Sequence, residues 1–147
     1  MRGDAARPAA LEETWTQLTS VVAAVGRALD AEVAQRVGLL VSECEVLAAA
    51  QAPPRDRATM SELGAAARLS ASGVTRVVGR LEALGLLERY RDAAVDNRLL
   101  WVRLTAGGRE RLDQARAVRA RVLARELAPR LPALHALLAA REPADIT

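Results

Sequence analysis

The sequence predicts a mainly α-helical domain carrying one small β-hairpin. Three observations carry this expectation. Apolar residues recur at helical spacing over most of the chain. Ser and Thr residues suited to helix starts precede several of these stretches, and glycines suited to helix ends follow some of them. Only between Leu87 and Leu104 does the spacing change to the alternation of extended strands. The chain has 147 residues. That length suits a single domain, residues 1–147, since domains commonly run from about 100 to about 200 residues. Hydrophobic residues make up 51% of the chain and charged residues 27%, so a core can be built. Aromatics reach only 2%, with no Phe, so Leu, Val and Ala must fill that core.

The elements follow in order. Residues 1–8 are polar and end at Pro8, which reads as a loose terminus. From Ala9 a single stripe of Leu11, Trp15, Leu18, Val22, Val25 and Leu29 runs along one long helix, ending near Val37–Gly38. A second helix is expected to start at the capping box Ser42-Glu43-Cys44-Glu45 and to stop before Pro53-Pro54. Residues 53–58 read as a polar connection. Thr59-Met60-Ser61-Glu62 repeats the capping signature ahead of a short helix through Leu69. Ser70-Ala71-Ser72 offers a turn and a fresh N-cap. The helix after it places Val74, Val77, Val78, Leu81 and Leu84 toward a core, with Gly85 where a C-cap glycine belongs.

Two strands are then expected, Leu87–Arg91 and Leu99–Leu104, joined by a loop over 92–98 with hairpin chemistry at Asp96-Asn97. Trp101 falls on the side of its strand opposite Leu100 and Val102, where an exposed residue is expected. Thr105-Ala106-Gly107-Gly108 caps a last long helix with Leu112, Ala115, Val118, Val122 and Leu123 on one face. Pro129 and Pro132 break it. Leu131, Leu134, Leu137 and Leu138 form a short final helix, and the tail from Glu142 is expected to fray.

Composition removes several functions. A single cysteine, Cys44, excludes an internal disulfide and a multi-cysteine metal site, and a single histidine, His135, excludes histidine pairs. No cofactor or metal is expected. No apolar run approaches the length of a membrane span, roughly 18 residues. The opening MRGDAARPAALEE lacks the apolar stretch of a secretory signal. A cytoplasmic protein is expected. No Ser/His/Asp, Cys/His or paired-carboxylate arrangement, P-loop or GxGxxG has a supporting context, so an enzyme is not expected.

Charge is unevenly spread. Residues 1–54 hold four Arg against seven acids, a net of −3. Residues 55–111 hold eleven Arg against seven acids, a net of +4. A polyanionic partner for the middle of the chain would favour such a distribution. That middle segment has a short helix, a turn, a second helix and a hairpin, which together make a winged helix-turn-helix over residues 42–105. The polar face of its second helix carries Ser72, Gly73, Thr75, Arg76, Gly79 and Arg80, with Ser70 in the turn. Arg76 and Arg80 are four apart and project from one face. An Arg fork matches the guanine edge in a major groove, and Ser or Thr can take phosphates or bases. Arg89 and Arg91 alternate with Tyr90 on the first strand, as backbone contacts or as protection of a sheet edge.

Residues 59–108 resemble the MarR family of transcriptional regulators. The resemblance rests on Thr75-Arg76, Leu81-Glu82, Gly85-Leu86, Glu88-Arg89, Asp96-Asn97-Arg98 and Leu104-Thr105 with Gly108. It implies double-stranded DNA as partner, at a pseudo-palindromic operator. Arg98 would reach from the wing into the minor groove, with its guanidinium held by Asp96. It implies also a homodimer made by the helices of residues 9–38 and 109–141, although the first-helix stripe by itself reads equally as internal core. Relatives bind phenolic or other aromatic molecules in a cleft between the dimer region and the DNA-binding lobe, where Trp15 is a weak candidate contact.

The function expected is that of a repressor released from its operator by a small ligand. A thiol-based redox sensor using Cys44 is one alternative. Against it, Cys44 reads as a small buried residue, and the sensing cysteine of such relatives lies in the first helix. A winged-helix protein-interaction module without DNA binding is another.

Overall fold

The 4–3 spacing that opens the chain folds as one long helix. In the computed structural model, which describes residues 6–139, this is α1 (Ala6–Val37). It is followed by α2 (Val41–Ala50), β1 (Ala58–Thr59), α3 (Met60–Ala67), α4 (Ala71–Ala83), β2 (Leu87–Asp92) and β3 (Asp96–Leu104). Then come α5 (Ala106–Glu126), a 3-10 turn (Ala128–Arg130) and α6 (Leu131–Ala139). The class is mainly helical with a small antiparallel sheet, as the sequence predicts. The expected fraying from Glu142, and the first five residues of the expected loose terminus, fall outside the described residues.

The chain divides into two compact units, Met1–Glu32 with Arg119–Thr147, and Val33–Val118. In the first unit Val25 and Val122 are buried, and the Thr14 hydroxyl donates to the Ala10 carbonyl at 2.9 Å. Glu32 on α1 pairs with Arg125 on α5 at 2.5 Å. Much of the α1 stripe is uncovered: Leu11 is 55% exposed, Trp15 66% and Val22 69%.

The second unit holds the larger core. Leu39, Val46, Leu47, Leu63, Val78, Leu81, Leu87 and Val102 are almost sealed from solvent. Each such side chain contributes roughly 1.5–3 kcal/mol relative to exposure. The aliphatic composition therefore suffices, and one aromatic, Trp101, joins in.

Local signals explain most boundaries here. Thr59 caps α3 by accepting from the Glu62 amide at 3.3 Å, while Glu62 accepts from the Thr59 amide at 2.7 Å. Ser70 caps α4 through the Gly73 amide at 3.1 Å. Gly85, just after α4, takes a positive φ of 70°. Side chains disfavour that backbone conformation, and glycine does not. Thr105 caps α5 by accepting from the Gly108 amide at 3.0 Å and donates to the Gly85 carbonyl at 2.6 Å.

The first helix begins at Ala6 rather than Ala9, and Leu84 at the end of α4 is exposed rather than turned to the core. Four further details differ from expectation. Ala58–Thr59 forms a third strand, pairing Ala58 with Val102 and Thr59 with Trp101, so the sheet order is β1-β3-β2. Two residues carry no readable alternation; the open edge of β3 recruits them. The hairpin turns at Ala93–Val95 rather than at Asp96-Asn97, and β3 begins at Asp96. Asp92 makes this turn twice over. Its side chain accepts from the Ala94 amide at 3.1 Å, and its carbonyl accepts from the Val95 amide at 3.2 Å. Asp commonly shapes a turn in this way. The N-cap of α2 is Leu40, not Ser42, because Glu43 reaches back to the Leu40 amide at 2.8 Å. Trp101 is buried, with the Arg57 guanidinium 4.2 Å and that of Arg55 5.4 Å from its ring centre.

At Gly108 the start of α5 crosses the Leu86 carbonyl so closely that a methyl group would collide with it and lie 3.3 Å from Leu104 Cγ. A helical Gly→Ala change ordinarily stabilises by about 0.8–1 kcal/mol. Gly108→Ala is expected to reverse that sign and destabilise by about 1–3 kcal/mol through overpacking, read from the urea midpoint at unchanged slope. A midpoint equal to or above that of the parent protein would contradict this crossing.

Candidate nucleic-acid interface

The turn between α3 and α4 is set by backbone geometry. Arg68 ends α3 in the left-handed region at φ 55°, and the Leu69 amide returns to the Gly64 carbonyl at 2.9 Å. The chain then leaves α3 in the direction that Ser70 needs to cap α4. Val74, Val78 and Leu81 anchor α4 in the core, which turns Ser72, Thr75, Arg76 and Arg80 outward.

These outward residues are not equally free. The Thr75 hydroxyl donates to the Ala71 carbonyl of its own helix at 2.9 Å, and the Ser70 and Ser72 hydroxyls lie 3.3 Å apart. A Cβ at Gly73 would sit 3.1 Å from Ser70 Oγ, so this glycine makes room for the cap, whereas one at Gly79 would meet nothing within 4 Å. Arg76 is exposed and makes no hydrogen bond or ion pair among the described residues.

Arg80 is different. Its Nε lies 3.0 Å from Oε1 of Glu43 on α2, a carboxylate that is 2% exposed. The Arg80 side chain itself remains 56% exposed, so it is tethered through Nε while its far end stays in solvent. A buried carboxylate requires such a partner. Sequence reasoning assigned Glu43 to a capping motif and missed this pairing. The only local signal was a pair of acids, Glu43 and Glu45, at the start of the helix, with nothing to indicate which would be buried or which arginine it would meet.

The arginines of the wing divide in the same way. Arg89 donates from Nε and Nη2 to one Glu82 oxygen at 2.9 and 2.5 Å, tying β2 to α4. These bonds hold the Glu82 carboxyl below its usual range and push Arg89 up. Arg91 Nη1 donates to the Arg98 carbonyl at 3.2 Å across the hairpin. Asp96 accepts from the Arg98 amide at 2.9 Å, but its oxygen is 3.6 Å from Arg98 Nε. The aspartate therefore fixes the backbone of Arg98 more closely than its guanidinium, and the side chain is 95% exposed.

The remaining candidates lie apart from this group. Cys44 on α2 is half-buried, and its thiol is pushed up to about 11 by burial and then by Glu43 and Glu45. Trp15 stands exposed on α1 and His135 exposed on α6. Among the described residues no cluster of His, Cys, Asp and Glu could hold a metal ion, and no helix is long and apolar enough to cross a membrane.

Comparison with known proteins shows what this arrangement resembles. Residues 37–98, from the end of α1 to the wing, match the model of the MarR family. AbsC of Streptomyces coelicolor, a MarR family transcriptional regulator, is 25% identical with a TM-score of 0.74, over 90% of this chain and 89% of that one. Over residues 37–98 the chain is similar to MarR family transcriptional regulators. Members of the MarR family are transcriptional regulators rather than enzymes. Sco3205, a MarR family regulator of the same organism in complex with DNA, shares the fold at 18% identity and a TM-score of 0.71, over 92% of this chain and 91% of that one. BpsR of Bordetella bronchiseptica, whose DNA binding is regulated by 6-hydroxynicotinic acid, shares it at 20% identity and 0.63, over 84% and 94%. No curated protein matches the chain. The MarR match spans Glu43 and every wing and α4 arginine described above.

The Cys44 environment fixes a pH dependence. Thiolate forms as pH rises, and a thiol at about 11 carries far less of it at neutral pH than a free cysteine near about 8.5. Alkylation of Cys44 by iodoacetamide is expected to run roughly a hundredfold or more slower than that of free cysteine at pH 7.5, and to climb steadily up to pH 10. A rate at pH 7.5 equal to that of free cysteine would contradict the assigned environment.

Proposed function

We propose that this protein is a sequence-specific DNA-binding regulator, a repressor that a small molecule releases from its operator. The observation that carries the DNA reading is the contrast among its arginines. Arg80, Arg89 and Arg91 are engaged with Glu43, Glu82 and the wing backbone, while Arg76 on α4 and Arg98 on the wing are exposed. Arg76 suits a base edge in the major groove and Arg98 the narrow, negative minor groove. Ser70, Ser72, Thr75 and the thin surface at Gly73 and Gly79 suit backbone approach, with Arg80, Arg89, Arg91 and Asp96 positioning the contact. The shared fold with Sco3205 in complex with DNA supports this reading.

The protein acts as a cytoplasmic homodimer through residues 9–38 and 109–141. The uncovered Leu11, Trp15 and Val22 of α1 are the apolar surface such a partner would bury. Two copies of α4 then address half-sites about 34–36 Å apart. A ligand that prefers a conformer with another spacing lowers DNA affinity, and by linkage DNA lowers ligand affinity equally. The regulation of BpsR by 6-hydroxynicotinic acid supports a small aromatic effector, with Trp15 as candidate contact. The protonated Cys44 thiol favours ligand control over a thiol switch.

Genomic footprinting of the purified protein should give a pseudo-palindromic operator. Arg98→Ala is then expected to weaken binding to all sequences and to flatten the salt slope by about 1. Arg76→Ala is expected to cost about 1–3 kcal/mol and to relax specificity at one position. Equal losses on every sequence would reduce Arg76 to a phosphate contact. Sedimentation equilibrium should give a dimer at working concentration; a monomer, or no duplex binding even in dilute buffer, would overturn the proposal.

A further inference from the structure

We propose that the wing sheet carries a second ligand site, a cavity on its outer face that takes the phosphate group of a small phosphorylated molecule. The cavity, of about 420 Å³, is lined by Arg55, Asp56, Arg57, Tyr90, Arg103 and Arg109. That volume falls in the range of small-molecule sites, roughly 300–1,000 Å³. Four guanidinium groups against one carboxylate leave a lining of net +3.

The strand register builds this site. Tyr90 pairs with Trp101 and Glu88 with Arg103, so alternation puts all four on one face of the sheet. Leu87, Val102 and Leu104 face the other way into the core. Arg89 also lies on that other face, where it bonds Glu82 of α4. The cavity is thus on the side of the sheet turned away from α4, so a duplex read by α4 does not fill it.

Three of the arginines sit over aromatic rings. Arg57 lies 4.2 Å and Arg55 5.4 Å from the centre of the Trp101 ring, and Arg103 lies 4.7 Å from that of Tyr90. Each has an acid behind it: Arg55 bonds Glu62 at 2.6 Å, Arg57 bonds Asp92 at 2.6 Å and Arg103 bonds Glu88 at 2.5 Å. None of those three acids lines the cavity. A guanidinium has five N–H donors, and these bonds use one nitrogen of each. Arg109, at the start of α5, has no side-chain partner among the described residues. Donors therefore remain on arginines whose positions the rings and acids already restrict, and on Arg109.

The number of cations selects the ligand. A carboxylate monoanion is matched by one bidentate arginine, whereas a phosphate dianion has three strong acceptor oxygens and can engage several. A cavity of this size has room for a body beyond the phosphate, and Asp56 supplies an acceptor for a hydroxyl on it. A sugar phosphate has both parts.

The test is isothermal titration calorimetry of the full chain with inorganic phosphate, pyrophosphate and ribose 5-phosphate, at ionic strength matched with sodium chloride. Saturable binding of at least one probe is expected, weakened about tenfold or more in Arg109→Gln. Arg109 is exposed and unpaired among the described residues, so this variant should melt as the parent protein does. Emission of Trp101, isolated by Trp15→Phe, should change on saturation and stay constant when Arg109→Gln receives the same dose. Absence of saturable binding by all three probes overturns the proposal. So does binding that Arg109→Gln leaves unaltered, which would mark screening or a site elsewhere. A Trp101 response to duplex DNA alone also overturns it, by assigning the cavity to the DNA backbone.

Discussion

A carboxylate almost sealed from water sets the terms for the winged lobe. Removing an ion from solvent costs several kcal/mol even after relaxation, and the cost is offset only when bonds replace the lost water. Glu43 receives two: the Leu40 amide at the start of α2 and Nε of Arg80 on α4. One anion therefore caps one helix and fixes the rotation of another. If α4 turned about its axis, Arg80 would leave Glu43 unpaired in an aliphatic core, so the orientation that preserves this pair also keeps Arg76 outward. Breaking such a buried pair from one side typically costs about 3–5 kcal/mol, more than exposed ion pairs supply.

The same logic sorts a chain whose only strong cation is arginine. Exposed ion pairs such as Arg89–Glu82 and Arg103–Glu88 contribute little to stability, commonly under about 1 kcal/mol. Their effect is on geometry and on the field. The first holds β2 against α4, the second ties β3 to β2, and both place acid beside arginine on the wing. On the side that α4 and the wing tip present, Arg76 and Arg98 then stand out beside arginines that acids already engage. A protein with the same arginines and no acid partners would adhere to any polyanion; one with this pairing concentrates attraction where the wing and α4 present it.

The two faces of the wing sheet show how little material separates different tasks. One face closes the core with Leu87, Val102 and Leu104, and the other stacks Arg55 and Arg57 on Trp101. The two-residue strand β1 makes the second face possible, because its pairing with β3 brings the segment before α3 across the indole. Without that strand Trp101 would be the exposed residue that its place in the alternation suggests.

What could be read from the residues was what neighbours in the chain decide. Thr59 with Glu62, Ser70 with Gly73, and Thr105 with Gly108 are bonds across three positions, and Gly85 needs only the sign of its own φ. The α4 and wing arginines were legible because helix and strand periods assign a face to each. The hairpin turn set by Asp92 and the Leu40 cap of α2 were local signals misread; the other misreadings share one cause. Glu43 finds Arg80, Trp101 finds Arg55 and Arg57, and β1 finds β3 across long stretches of chain. A carboxylate, an indole or a pair of extended residues looks the same in the sequence whether or not such a partner arrives. Packing supplied those partners, and with them the difference between an arginine that braces the lobe and one that remains available to a ligand.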